Sequence, residues 1–301
     1  MINLTNSDNT LSLGLNLQGG SISYFNFRNK NKKYDILRSE KKNKRNFNII
    51  KTAGFPLTPF CNRINKNVFT YKNKKYYLKN NTKMGKYYLH GDGWLNKWKI
   101  INKNKNSIQL TYINKKSKNT PYNYISNQEL ILNKNSLKIS LSVQNLDNCD
   151  LPFGLGFHPY FPKNKLTLLK AKSKHYWIED KDYIPTKAKP TPKKLNFNNF
   201  NILPSTWTNN CFDNWDSSAK IVWPDKKLML SINTSKNCKF FFLHVSSKKF
   251  EKSFKNDYFC FEPMTHLVNA HNYKHNHGLV NLSKNQKMKI SISFKLETIN
   301  D

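Results

Sequence analysis

Apolar and polar residues alternate with a period of two in several separate stretches of the chain. Met288, Ile290, Ile292, Phe294 and Leu296 alternate with Lys287, Lys289, Ser291, Ser293 and Lys295, and Leu137, Ile139, Leu141 and Val143 with Lys138, Ser140, Ser142 and Gln144. Residues 108–113 and 239–245 also read as strands. Each such stretch buries one face of a sheet. No apolar stripe with a 3.6-residue period runs for three turns. The pattern therefore predicts an all-β chain of many antiparallel strands, most economically one large β-sandwich over residues 1–301. No internal repeat or compositional shift marks a linker. Residues 17–25 read as strand, glycine turn, strand, so Gly19-Gly20 is structural and not a phosphate cradle, which would need a following helix. Residues 184–194 carry three prolines and are expected to be a loop. Residues 41–46, rich in Lys and Asn, are expected to form a solvated excursion.

Composition supplies a core: 38% of the 301 residues are hydrophobic and 14% aromatic. The formal charge of +33 would ordinarily suggest a nucleic-acid or anionic partner. The charge is almost all lysine, however, spread along the chain with asparagine. Arg28, Arg38, Arg45 and Arg63 are the only arginines. Specific readers of nucleic acid use arginine forks, so the excess reads as compositional bias and no specific nucleic-acid partner is expected. Five cysteines, at 61, 149, 211, 238 and 260, form neither a CxxC pair nor an even framework. With no basic-then-apolar leader and no membrane-length apolar run, a soluble cytoplasmic protein is expected.

Candidate chemistry falls in four places. Gly154-Leu155-Gly156-Phe157-His158-Pro159-Tyr160-Phe161 sets one histidine between glycines and a proline. The glycines permit close backbone approach, and Pro159 biases His158 toward an extended conformation. Read alone, His158 is better explained as a packed turn histidine. Pro56 and Pro59 lead rigidly into Asn62-Arg63, which places a fork of donors where lysine cannot substitute. His90-Gly91 is expected to follow an apolar strand, with Trp94 and Trp98 near enough to wall a ligand or to plug the core. Glu262, one of six glutamates, ends the apolar run 257–261. In such surroundings a carboxyl pKa rises, which suits a general base. His90, His158 and Glu262 could form a metal triad, but no HxH or HExxH spacing supports one.

Taken in order, Gly19-Gly20, Pro59-Phe60-Cys61-Asn62-Arg63-Ile64, Leu89-His90-Gly91 with Trp98, the His158-Pro159-Tyr160-Phe161 segment, Glu262-Pro263 and Gly278-Leu279-Val280-Asn281-Leu282 resemble the aldose 1-epimerase (mutarotase) family over nearly the whole chain. The resemblance implies a galactose mutarotase-like supersandwich without cofactor or metal. It implies interconversion of the α and β anomers of free hexoses such as galactose and glucose. Glu262 would take the C1 hydroxyl proton and His158 would protonate the ring oxygen. Asn62, Arg63 and His90 would hold the sugar. One departure concerns Asn209, which stands three residues before Phe212, where many members carry an aspartate. An amide still binds a hydroxyl but carries no charge; Asp213 is expected to lie elsewhere on the strand. The expected partner is a small sugar, on a monomer or homodimer. Two further readings are a weak sugar-binding protein of the same fold and an epimerase for a phosphorylated hexose.

Overall fold

The protein is described by a computed structural model covering residues 1–40 and 47–299. The expected excursion at 41–46 lies outside the described residues. Period-two alternation becomes two large sheets. One has eleven strands, ordered along its main path as Ile2–Thr5, Leu11–Asn16, Ser21–Asn29, Gly54–Leu57, Gly156–Pro162, Tyr258–Met264, Phe240–Val245, Thr208–Asp213, His175–Glu179 and Pro185–Pro190; Lys32–Leu37 pairs with Ser21–Asn29. The other has nine, with Leu228–Thr234, Lys287–Thr298 and Ser136–Asn145 at its centre. Pairing within both is antiparallel.

The sheets pack face to face through their apolar sides. Phe161 of the larger sheet meets Phe294 of the smaller at 5.8 Å between ring centroids, and the Trp223 indole N–H donates across the layers to the Pro162 carbonyl. Alternate residues of the larger sheet therefore face away from this core, and on its central strands they mix polar and aromatic side chains, among them Phe55, His158, Phe242 and Glu262. That outward face carries the site.

Three sequence expectations change here. Residues 184–194 are not simply a loop, because Pro185–Pro190 is a strand. It lies at the sheet edge, where missing N–H groups cost no ladder bonds. His158 sits within a central strand, not a turn. Residues 87–89, expected as a strand, are irregular apart from one bridge from Leu89 to Arg63. The turn at 17–20 is structural as expected, with Gly20 against the Trp98 indole.

Candidate active site

Register builds the centre of the site. The His158 strand pairs with the Glu262 strand so that Gly156 faces Met264 and Tyr160 faces Cys260. Midway between, His158 and Glu262 stand opposite each other, with His158 Nε2 3.3 Å from Glu262 Oε1. Phe55 flanks His158 on the next strand, and Phe242 flanks Glu262 on the other side. Pro159 and Pro263 follow the two residues. Proline gives no N–H to a ladder, and no pairing joins the strands between Gly156–Met264 and Tyr160–Cys260.

The His158 ring is clamped between Phe55 and Tyr160, each 4.7 Å away between centroids. Both members of the pair are buried, and burial penalises their charged forms. It pushes Glu262 up to about 8, against a smaller opposing pull from Arg63. It pushes His158 down to about 3. Both shifts favour the uncharged forms, a carboxyl and a neutral imidazole 3.3 Å apart, close enough to pass a proton between them. Glu262 Oε2 is buried and bonds no atom among the described residues, as expected of a group that awaits a ligand.

Asn62 and His90 hold each other in place. Both have left-handed backbones, at φ +59°, and two bonds sustain them: His90 N–H to the Asn62 carbonyl at 2.9 Å, and Asn62 N–H to His90 Nδ1 at 3.0 Å. Gly91 continues the turn at φ +69°, where a Cβ would strike the Thr58 carbonyl. Because Nδ1 accepts from a backbone N–H, a neutral His90 carries its hydrogen on Nε2. Burial keeps it neutral by lowering its pKa well below the usual range. His90 is thus a hydrogen-bond donor beside His158, with ring centroids 5.3 Å apart.

Ligand atoms of His90, His158 and Glu262 all lie within 4.8 Å of one another. Metal-bound histidines donate from their second nitrogen. His90 does the reverse, since its second nitrogen accepts, so this trio suits a hydroxyl-bearing ligand better than a cation.

Arg63 donates from Nη1 to Asn62 Oδ1 at 3.0 Å and packs on the Tyr183 ring. Its guanidinium is near enough to Glu262 for each to favour the other's charged form. With Asn62, His90, His158, Asn209 and Glu262 it lines a cleft of about 320 Å³. Trp94, stacked on Phe55 at 5.3 Å, lines the cleft as well. Trp98 belongs to the core, its indole bonded to the Gly93 carbonyl. At the rim, Lys51 is ion-paired with Glu251.

All six residues singled out from the sequence therefore converge on one cleft. Two others at this end were not singled out. His244 lines the cleft beside Asn209, and Glu179 lies behind Asn209. Asp213 instead ties His175 and Trp177, at 3.0 and 2.9 Å.

The buried titratable groups fix a stability profile. His90, His158, His244, His266 and His271 are all pushed down by burial, so the unfolded chain binds more protons below its histidine value of 6.5 and stability rises with pH up to there. Glu262, at about 8, and Glu179, pushed up by burial to about 7, hold protons in the folded state that the unfolded chain has released above 4.5. Their contribution is lost as pH rises through those values. The unfolded histidines are half titrated at pH 6.5 and the two carboxyls outweigh them from about pH 7. Melting temperature is therefore expected to peak near pH 7 and to fall toward pH 8, with the fall reduced in Glu262→Gln. Calorimetric scans across this range check it; a wild-type melting point that climbs from pH 7 to 8 contradicts it.

The sequence model of the aldose 1-epimerase family matches residues 1–295. The uncharacterized protein YphB of Escherichia coli K12 is 33% identical over 244 residues, which cover 81% of this chain and 83% of that protein. A crystal structure from Escherichia coli K12, provisionally described as an aldose 1-epimerase, superposes with a TM-score of 0.91 at 31% identity, covering 99% of this chain and 98% of the other. A galactose mutarotase-like protein from Clostridium acetobutylicum shares the fold, with a TM-score of 0.81 at 18% identity over 96% and 93% of the two chains. With its antiparallel supersandwich and a family match over residues 1–295, this chain belongs to the aldose 1-epimerase family.

Proposed function

We propose that the protein interconverts the α and β anomers of a free hexose, such as galactose or glucose, by acid–base ring opening and reclosure. The observation that carries this reading is the buried His158–Glu262 pair, Nε2 3.3 Å from Oε1, set in one cleft with Asn62, Arg63 and His90. Mutarotation consumes and releases no net proton. It needs one proton removed from the C1 hydroxyl and one supplied to the ring oxygen, then the reverse. A buried acid and base set side by side in one cleft can perform both halves.

In this reading the Glu262 carboxylate takes the C1 hydroxyl proton, and His158, having received the shared proton, gives it to the ring oxygen. The C1–O5 bond breaks as the C1–O1 bond becomes a carbonyl. Rotation about C1–C2 presents the other face of the carbonyl. O5 then attacks C1 and returns its proton to His158 while Glu262 reprotonates O1. Arg63 supports the carboxylate form of Glu262 as the proton leaves it. The His90 Nε2–H and the Arg63 guanidinium are donors for sugar oxygens, Asn62 orients both, and Trp94 offers an apolar face to the ring C–H groups. The cleft lysine, Lys51, is already neutralised by Glu251, which favours a neutral sugar over a phosphorylated one.

Polarimetry of freshly dissolved α-glucose and α-galactose tests the reading: the protein should accelerate the approach to equilibrium, and a rate equal to buffer with every aldohexose tried contradicts it. The pH dependence is also fixed. kcat/KM should stay level through neutrality and fall above about pH 8, where the pair loses its shared proton. A fall already complete by pH 7 would place the proton elsewhere.

A further inference from the structure

The cleft wall opposite His90 contains a histidine whose hydrogen-bonding polarity is set by a buried chain behind it. His244 pairs across strands with Asn209, and its Nδ1 lies 3.1 Å from Asn209 Oδ1. Asn209 Nδ2 lies 2.5 Å from Glu179 Oε2. An ionised carboxylate can only accept, so Glu179 is the acceptor that ends the chain, and the directions follow. The Asn209 amide must turn its NH₂ to Glu179 and its oxygen to His244. Nδ1 of His244 must then carry the hydrogen. In a neutral ring that leaves Nε2 bare. Among the described residues none bonds that nitrogen, and His244 lines the same cleft as Glu262 and Arg63. The ring is held edge-on to Trp207, with centroids 5.2 Å apart and planes at 88°, and lies against Phe250.

We propose that His244 Nε2 is a fixed acceptor for one sugar hydroxyl, and that Asn209 and Glu179 are positioning residues that set its tautomer. This deepens the proposed function and rests on it for the class of ligand. A neutral imidazole accepts a single hydrogen bond and presents no charge where the sequence departs from the expected aspartate. The carboxylate is still present at this end of the cleft, but as Glu179, one amide further back, and its influence reaches the ligand through Asn209 and His244. The site thus selects a sugar that places a hydroxyl, and not a hydrogen, at the position facing Nε2.

Two measurements test this. The first needs no sugar. At pH 8, above the value of about 7 to which burial raises Glu179, the side-chain 15N spectrum of His244 should show a protonated Nδ1 and an unprotonated Nε2. In Asn209→Ala the unprotonated Nε2 signal should weaken as the other tautomer becomes accessible. A protonated Nε2 in the wild-type protein overturns the proposal.

The second follows binding, by quenching of cleft tryptophan fluorescence, of glucose and galactose and their 2-, 3-, 4- and 6-deoxy analogues. One deoxy analogue should bind the wild-type protein roughly 3- to 30-fold more weakly than its parent. His244→Phe should erase the discrimination at that carbon alone, and Asn209→Ala should raise KM more than it lowers kcat. An unchanged deoxy pattern in His244→Phe overturns the role of His244 while mutarotation by the wild type leaves the epimerase reading standing. Conversely, the expected pattern in binding without any mutarotation removes the epimerase reading and leaves the role of His244 intact.

Discussion

Glu262→Gln is expected to lower the kcat for mutarotation by 10²- to 10⁴-fold, the range supplied by one positioned acid–base group. The substitution keeps the size of the side chain and leaves an amide that can still face His158, so the pair geometry persists. What it removes is the exchangeable proton. A glutamine can neither accept the C1 hydroxyl proton nor hold the proton that His158 needs. The sheet should be unharmed: the residue is buried with one oxygen unpartnered, and a neutral amide costs less to bury there than a carboxylate. The variant should therefore melt no lower than wild type at pH 8 while losing activity. Stopped-flow polarimetry with a parallel thermal scan reads both. A variant that keeps more than a tenth of the wild-type kcat would mean that Glu262 is not the base.

The largest effect on stability is expected beneath the site. Phe241 alternates with the cleft residue Phe242 and points into the core. Its ring stacks on Phe212 at 4.5 Å, lies 4.6 Å from Phe261 and meets the Trp215 indole edge-on at 5.8 Å. It is fully buried. Phe241→Ala removes the middle of this stack and leaves a cavity between strands that carry Asn209, His244 and Glu262. The expected cost is about 3–5 kcal/mol, seen as a lower midpoint in urea with an unchanged slope. Phe200, 45% exposed, is the control, with an expected change for Phe200→Ala within about 0.5 kcal/mol.

Much of this architecture was legible because burial on one face of a strand leaves a period-two trace. The stretch around Ile290 and Phe294 shows it without interruption, and the strand there runs from Lys287 to Thr298. Pro185–Pro190 departs from the expected loop because proline's missing N–H excludes it from interior ladders but not from an edge. Residues 87–89 depart from the expected strand because their apolar side chains serve an irregular segment that fixes His90 through Asn62, with no strand neighbour. In the site, Glu262 stood out as a lone carboxyl in an apolar run. The same criterion applied to Phe240-Phe241-Phe242-Leu243-His244-Val245 would have singled out His244, the one polar side chain there. Glu179 left no comparable trace: its neighbours Tyr176, Trp177 and Ile178 alternate with no clear buried face, and its role depends on a cross-strand amide that only the fold brings near. Asn209 had been identified by position alone; its bonds to His244 and Glu179 show what an amide does there that an aspartate could not, since only an amide accepts on one side and donates on the other.

The central claim is that one proton shared by His158 and Glu262 drives anomer exchange of a free sugar in this cleft. Exchange NMR on equilibrated aldohexoses, glucose and galactose first, measures that event directly, because it reads α-to-β conversion at C1 with no net reaction. With catalytic amounts of the wild-type protein, magnetisation should transfer between the two anomeric protons of at least one sugar far faster than in buffer, and Glu262→Gln should restore the buffer rate. Exchange at the buffer rate for every aldohexose, or acceleration that survives intact in Glu262→Gln, would contradict it.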